Sequence, residues 1–116
     1  MNKLDKYTIE NKNLSYLKFS NKSGSHINCL RVYKNNSKKH ELRKIEVCLE
    51  LLKRDKRFLT EAVFRNERRA DIFNITDGII YEICKGKQRE KKDSFPEDLE
   101  IRSIDANKIF EEKDLD

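Results

Sequence analysis

The sequence predicts an α+β domain (α/β by some schemes), with one long helix over one face of a small mixed sheet. Three observations predict it. Apolar residues at helical spacing follow Ser37. Residues 57–85, RFLTEAVFRNERRADIFNITDGIIYEICK, break into three short apolar runs separated by turn-forming residues. A further alternating run, LEIRSI, comes only after a long charged connector closed by Pro96, so its strand rejoins the sheet by a crossover.

At 116 residues the chain fits one domain with a small core. Hydrophobic residues make up 36% and charged residues 41%, but the apolar ones cluster in periodic segments, as in a folded protein with polar ends. The net charge is +5 and the pI about 9.1, which admits a polyanionic partner. With 21 acids against 26 bases that bias is modest. Cys29, Cys48 and Cys84 are odd in number and lack CxxC or Cys/His metal spacing. We expect reduced, mostly buried thiols of a cytoplasmic protein. No apolar run is long enough for a membrane span, and none reads as a signal peptide.

Residues 1–36 read as a polar segment, loosely ordered to Asn13, followed by a β-hairpin. Its arms are Leu14–Phe19 and Ile27–Lys34, about the turn-rich NKSGSH, with His26 exposed at the tip. Residues 37–116 form the core of the same domain. Ser37 caps a helix running to about Arg54, and Leu42, Ile45, Cys48, Leu49 and Leu52 form its expected buried stripe. Glu41 falls near the middle of that stripe, where the helix dipole favours an acid; His40, Glu46 and Glu50 point away. The three strands are Phe58–Phe64, Arg69–Ile75 and Ile79–Cys84. Their connections are Arg65–Arg68 and Thr76–Gly78, the latter with an Asp-Gly hairpin signal. Gly86–Ser94 is basic and solvated, Leu99–Ile104 is the last strand, and Ala106–Lys113 forms a helical turn packing Ile109 and Phe110.

Acids fall at notable positions. A first hairpin centred on Asn66 sets Glu61 opposite Asp71. A second turning at Asp77-Gly78 sets Asp71 opposite Cys84 and Phe73 opposite Glu82. Period-two alternation then projects Glu61, Asp71 and Glu82 from one face. Three carboxylates among apolar neighbours repel one another and lose hydration, so a divalent cation held by oxygen ligands is the expected compensation. Pairing of individual acids with Arg68, Arg69 or Lys85 is the competing explanation. A one-residue slip in either hairpin would send one acid to the other face.

The order helix, three strands, charged connector, strand, with the words HELRKIEVCLELL, FLTEAVF, RRADIF and GIIYEIC, resembles the PD-(D/E)xK nuclease superfamily. Within it the chain is most similar to small archaeal and viral nucleases and Holliday-junction resolvases. The resemblance covers Ser37 to Ile104 and implies a restriction-endonuclease-like core. By position, Asp71 and Glu82 resemble the family's metal-binding acids and Glu41 its first-helix acid, with Glu61 as an additional acid. The family's lysine would fall at position 84, where this chain has Cys84. A substitute basic group could come from Lys85, Lys87 or Lys38.

The resemblance implies a Mg²⁺- (or Mn²⁺-) dependent endonuclease hydrolysing DNA phosphodiester bonds. Asp71, Glu82, Glu61 and Lys85 would be catalytic, and Asp71, Glu82, Glu61 and Glu41 the metal ligands. Lys38, Arg68, Arg69, Lys87, Arg89, Lys91 and Lys92 are candidate contacts to DNA, branched or single-stranded, and the protein would act as a homodimer. The alternative is a catalytically inactive protein of the same fold that binds nucleic acid or self-assembles. No Walker loop, dinucleotide-binding glycine motif, HExxH or zinc spacing is present, so neither a nucleotide cofactor nor zinc is expected.

Overall fold

A computed structural model of the chain describes residues 3–18, 26–86 and 95–116. Two helices and a four-stranded mixed sheet make an α+β fold: α1 (Lys3–Leu14), α2 (Lys38–Lys53), β1 (Phe58–Val63), β2 (Arg69–Asn74), β3 (Ile79–Cys84) and β4 (Glu100–Asp105). The strands stand in sequence order. β1, β2 and β3 pair antiparallel, and β4 adds parallel to β3. Among the described residues no helix is long and apolar enough to cross a membrane.

Both sheet faces are covered. On one, Val47, Cys48 and Leu51 of α2 pack on Phe58, Ile72, Tyr81, Ile83 and Ile104. On the other, Leu17 joins Leu59, Phe64, Phe73 and Ile80, with Leu14 at the edge. The segment expected to be loose is α1. It docks through polar side chains more than apolar ones, which is why composition conceals it. Asn13 Nδ2 donates to the Ile75 carbonyl at 2.7 Å, and Glu10 takes Arg57 Nη1 and Thr76 Oγ1, both at 3.1 Å.

The N-terminal hairpin does not form among the described residues. Leu14 ends α1, and Leu17 makes an isolated bridge with Phe64. Residues 27–34 lie beside β1 without joining the sheet, fixed by hydrogen bonds such as Asn28 N to the Phe58 carbonyl at 2.7 Å. Most of the turn between the two expected arms lies outside the described residues.

Ser37 caps α2 as expected, its hydroxyl accepting from His40 N at 3.1 Å. The buried face is rotated from the expected one. Leu42, Leu49 and Leu52 are 50%, 57% and 42% exposed, while Glu41, Lys44, Val47, Cys48 and Leu51 face the sheet. Counting apolar residues favours the leucine stripe, but Glu41 and Lys44 can be buried because they neutralise each other at i,i+3.

The β1–β2 ladder sets Thr60 opposite Ile72 and Ala62 opposite Ala70, so Glu61 stands across from Asp71 as the Asn66-centred turn requires. In the second hairpin Phe73 pairs with Ile80 and Ile72 with Tyr81, which brings Asp71 opposite Glu82, two residues from the expected Cys84. The reason is a wider turn. Gly78 N closes onto the Asn74 carbonyl at 2.9 Å, the Asn74 and Asp77 side chains brace it, and Gly78 takes φ +70°.

The terminal helical turn lies later than expected, as a 3₁₀ segment Glu112–Leu115. Leu115 is its buried residue, Phe110 packs at the edge, and Ile109 is 88% exposed. Of the thiols only Cys48 is buried; Cys84 is half-buried and Cys29 exposed.

Candidate functional site: a carboxylate seam between β2 and β3

Alternation breaks where the acids lie. Leu59 and Ala62 both reach the α1-side core, three residues apart. Across from them, Ala70 lies in that core and Ile72 in the α2-side core, with Asp71 between. Glu61 takes φ +50°, a left-handed conformation that non-glycine residues rarely adopt. Glu82 alternates normally with Tyr81 and Ile83 of the α2-side core, so it leaves β3 toward the other face. The three acids therefore do not share a face by simple alternation. Asp71 and Glu82 meet in register where the β2–β3 pairing ends, and Glu61 on β1 turns to Lys44.

Asp71 fills that seam. Its Oδ2 accepts from the Ile83 backbone N–H at 2.8 Å, replacing a strand-to-strand partner. The same oxygen lies 3.3 Å from His40 Nε2 on α2, and Glu82, opposite it in the register, helps to lower its pKa. Burial pushes the Asp71 carboxyl up, but His40, Glu82 and the Ile83 N–H more than offset this and hold it below its ordinary value. The hydrogen bond to Asp71 raises His40 against the opposing effect of burial. His40 Nδ1 meets Glu41 Oε1 at 2.9 Å, so an imidazolium can donate from both nitrogens. His40, expected at the surface, thus bridges two acids.

A second group of charges adjoins the first. Lys44, with no exposed side-chain surface, sets Nζ 2.7 Å from Glu41 Oε2 and 2.9 Å from Glu61 Oε1, and donates to the Arg31 carbonyl at 2.7 Å. Asn36 Nδ2 and Tyr33 N complete the coordination of Glu41, at 2.8 and 3.1 Å. Burial raises the Glu41 carboxyl, and Lys44, Asn36, Tyr33 N–H and His40 together bring it below its ordinary value. Burial lowers Lys44, and its two carboxylates reverse that. The cation expected among the acids is, for Glu41 and Glu61, a side chain of the protein. Lys44 and His40 escape sequence reasoning, although a Glu–Lys pair at i,i+3 within a buried stripe was the available signal.

These observations decide which residues could hold a metal. Among the described residues no group of three His, Cys, Asp or Glu is arranged to do so by itself. Glu41 and Glu61 are taken by Lys44. Asp71 and Glu82 are the acids left that could offer oxygens to a divalent ion, which would need water or other ligands besides.

Cys84, where the resemblance would place a lysine, has its thiol within hydrogen-bond reach of the Gly86 and Ile104 carbonyls, and burial pushes that thiol up. Lys85 is exposed just beyond β3, Lys38 is exposed in the first turn of α2, and Arg68 is exposed in the β1–β2 connection. Arg69 lies 3.9 Å from Glu61 Oε2 and over the Tyr33 ring. Lys87, Arg89, Lys91 and Lys92 lie outside the described residues. No protein-family model, curated protein or solved structure matches the chain.

Proposed function

We propose that the chain is a Mg²⁺- or Mn²⁺-dependent nuclease hydrolysing DNA phosphodiester bonds, with Asp71 and Glu82 as its metal ligands. The observation that carries this reading is that Asp71 and Glu82 face each other across the β2–β3 pair at a seam where the backbone ladder has given way to the Asp71 side chain. Two acids brought together out of water oppose folding, and a cation bound between them would reverse the penalty. A metal held there would supply Lewis-acid stabilisation of the phosphate and a water of lowered pKa.

The remaining roles belong to the chain. The Ile83 N–H and His40 keep Asp71 ionised and oriented. His40 Nε2 is the basic group nearest the pair among those named, and it can hold a proton beside the reacting phosphate. Lys85 and Lys38, both exposed, are candidate contacts to the strand being cut.

A second reading, a nuclease-like fold that binds nucleic acid without cutting it, is favoured by Lys44. It already neutralises Glu41 and Glu61, as in a protein that relies on no metal there. The two separate on supercoiled, linear and branched DNA with Mg²⁺, Mn²⁺ or EDTA. Cleavage that needs metal and disappears in Asp71→Ala and Glu82→Ala supports the nuclease. Retarded migration without cleavage, indifferent to both substitutions, supports the binding protein.

A further inference from the structure

We propose that the groove beside the carboxylate seam takes one unpaired nucleotide of a single-stranded nucleic acid, its base against Tyr33 and its phosphate on Arg31 and Arg69. This deepens the nucleic-acid reading above and rests on it. The groove has a volume of about 260 Å³ and is lined by Arg31, Val32, Tyr33, Glu61, Val63 and Arg69. That lies just under the ~300–1,000 Å³ of small-molecule pockets, a scale suited to one base rather than a duplex.

Its chemistry matches a nucleotide. Val32 is 68% and Tyr33 39% exposed, so adjacent apolar surface is open at the groove. The Arg69 guanidinium lies over the Tyr33 ring, 5.3 Å from its centroid, and 3.9 Å from Glu61 Oε2, so a base would take the ring's other face with this cation beside it for a phosphate. Arg31 supplies a second exposed cation. The acid at this groove, Glu61, already has its charge met by Lys44. Aromatic stacking beside paired arginines is how single strands are held without sequence readout.

The groove is also built rather than incidental. Residues 31–33 belong to no strand, yet their backbone is anchored from within. Lys44 Nζ donates to the Arg31 carbonyl at 2.7 Å, Arg31 N donates to Thr60 Oγ1 at 2.8 Å, and Tyr33 N donates to Glu41 Oε2 at 3.1 Å. The buried charges thus hold the backbone still and leave the side chains facing outward. Glu41 joins this wall to His40 and through it to Asp71.

The test is binding in EDTA, where no cleavage occurs. Fluorescence anisotropy compares a labelled single strand, its duplex, and the same strand carrying abasic sites. We expect the intact single strand to bind tightest, with Tyr33→Leu weakening it roughly tenfold or more and Tyr33→Phe binding as wild type. Arg31→Gln should lower the salt dependence of binding by about one phosphate contact. Equal affinity for intact and abasic strands, or for strand and duplex, overturns the proposal, and that comparison needs no variant to fold. Loss of cleavage with base-dependent binding intact counts against the metal pair alone. Metal-dependent cleavage without base-dependent binding counts against the groove alone.

Discussion

Lys44 explains why this chain tolerates acids in its core. It is fully buried and meets two carboxylates and a carbonyl, so removing its charge takes from Glu41 and Glu61 the cation they share. We expect Lys44→Met to destabilise the protein by about 3–5 kcal/mol in urea denaturation. The triple variant with Glu41→Gln and Glu61→Gln should recover much of the loss; no recovery would mean Lys44 acts through packing alone. The pair also fixes a pH window. Glu41 titrates below its ordinary 4.5 in the folded state, so its contribution is present above that value and lost as pH falls through the folded one. Lys44 titrates above 10.5, so its contribution is present below that and lost as pH rises further. Denaturation midpoints should be flat with respect to this pair between those limits and fall in acid. Glu41→Gln should flatten the acid limb, and an unchanged limb would assign it to other groups. At this scale the sequence shows which acids lie near the sheet, but not their partners. Lys44 and His40 look like surface residues until folding sets them against Glu61 and Asp71.

Elements were more legible than their faces. The three central strands, the crossover to the last one and the cap of α2 follow from turn chemistry and period, which act locally. The rotation of α2 does not, because two stripes compete and the winner is decided by Glu61 on another strand. That rotation is directly testable. Leu49→Gln and Leu52→Gln, on half-exposed positions, should each change stability by no more than about 0.5 kcal/mol. Leu51→Ala, at a position 1% exposed, should cost about 2–5 kcal/mol. Chemical denaturation of the three variants decides it, and a large loss at Leu49 would restore the stripe read from the sequence. The β2–β3 register escaped for a similar reason. The Asp-Gly signal is genuine, but Asn74 braces the turn from outside it, which moves Asp71 from Cys84 to Glu82.

At the scale of the whole molecule, two apolar cores hold the sheet from either side, and the carboxyl pair sits where β2 and β3 part. The consequence is a linkage among metal, proton and fold. A metal bound there as proposed would compete with protons for the two carboxylates, so its binding would strengthen as pH rises. Metal bound to the folded state alone raises the unfolding midpoint. We therefore expect Mg²⁺ to raise the thermal midpoint more at pH 8 than at pH 6, with the gain abolished in Asp71→Asn. Glu82→Gln separates the two effects. It removes one of two facing acids, so the metal-free protein should keep or gain stability at pH 8 while its response to Mg²⁺ disappears. Differential scanning fluorimetry across pH and Mg²⁺ concentration reads all three proteins at once. A midpoint gain that is equal at both pH values, or that survives in either variant, would place the ion away from this seam.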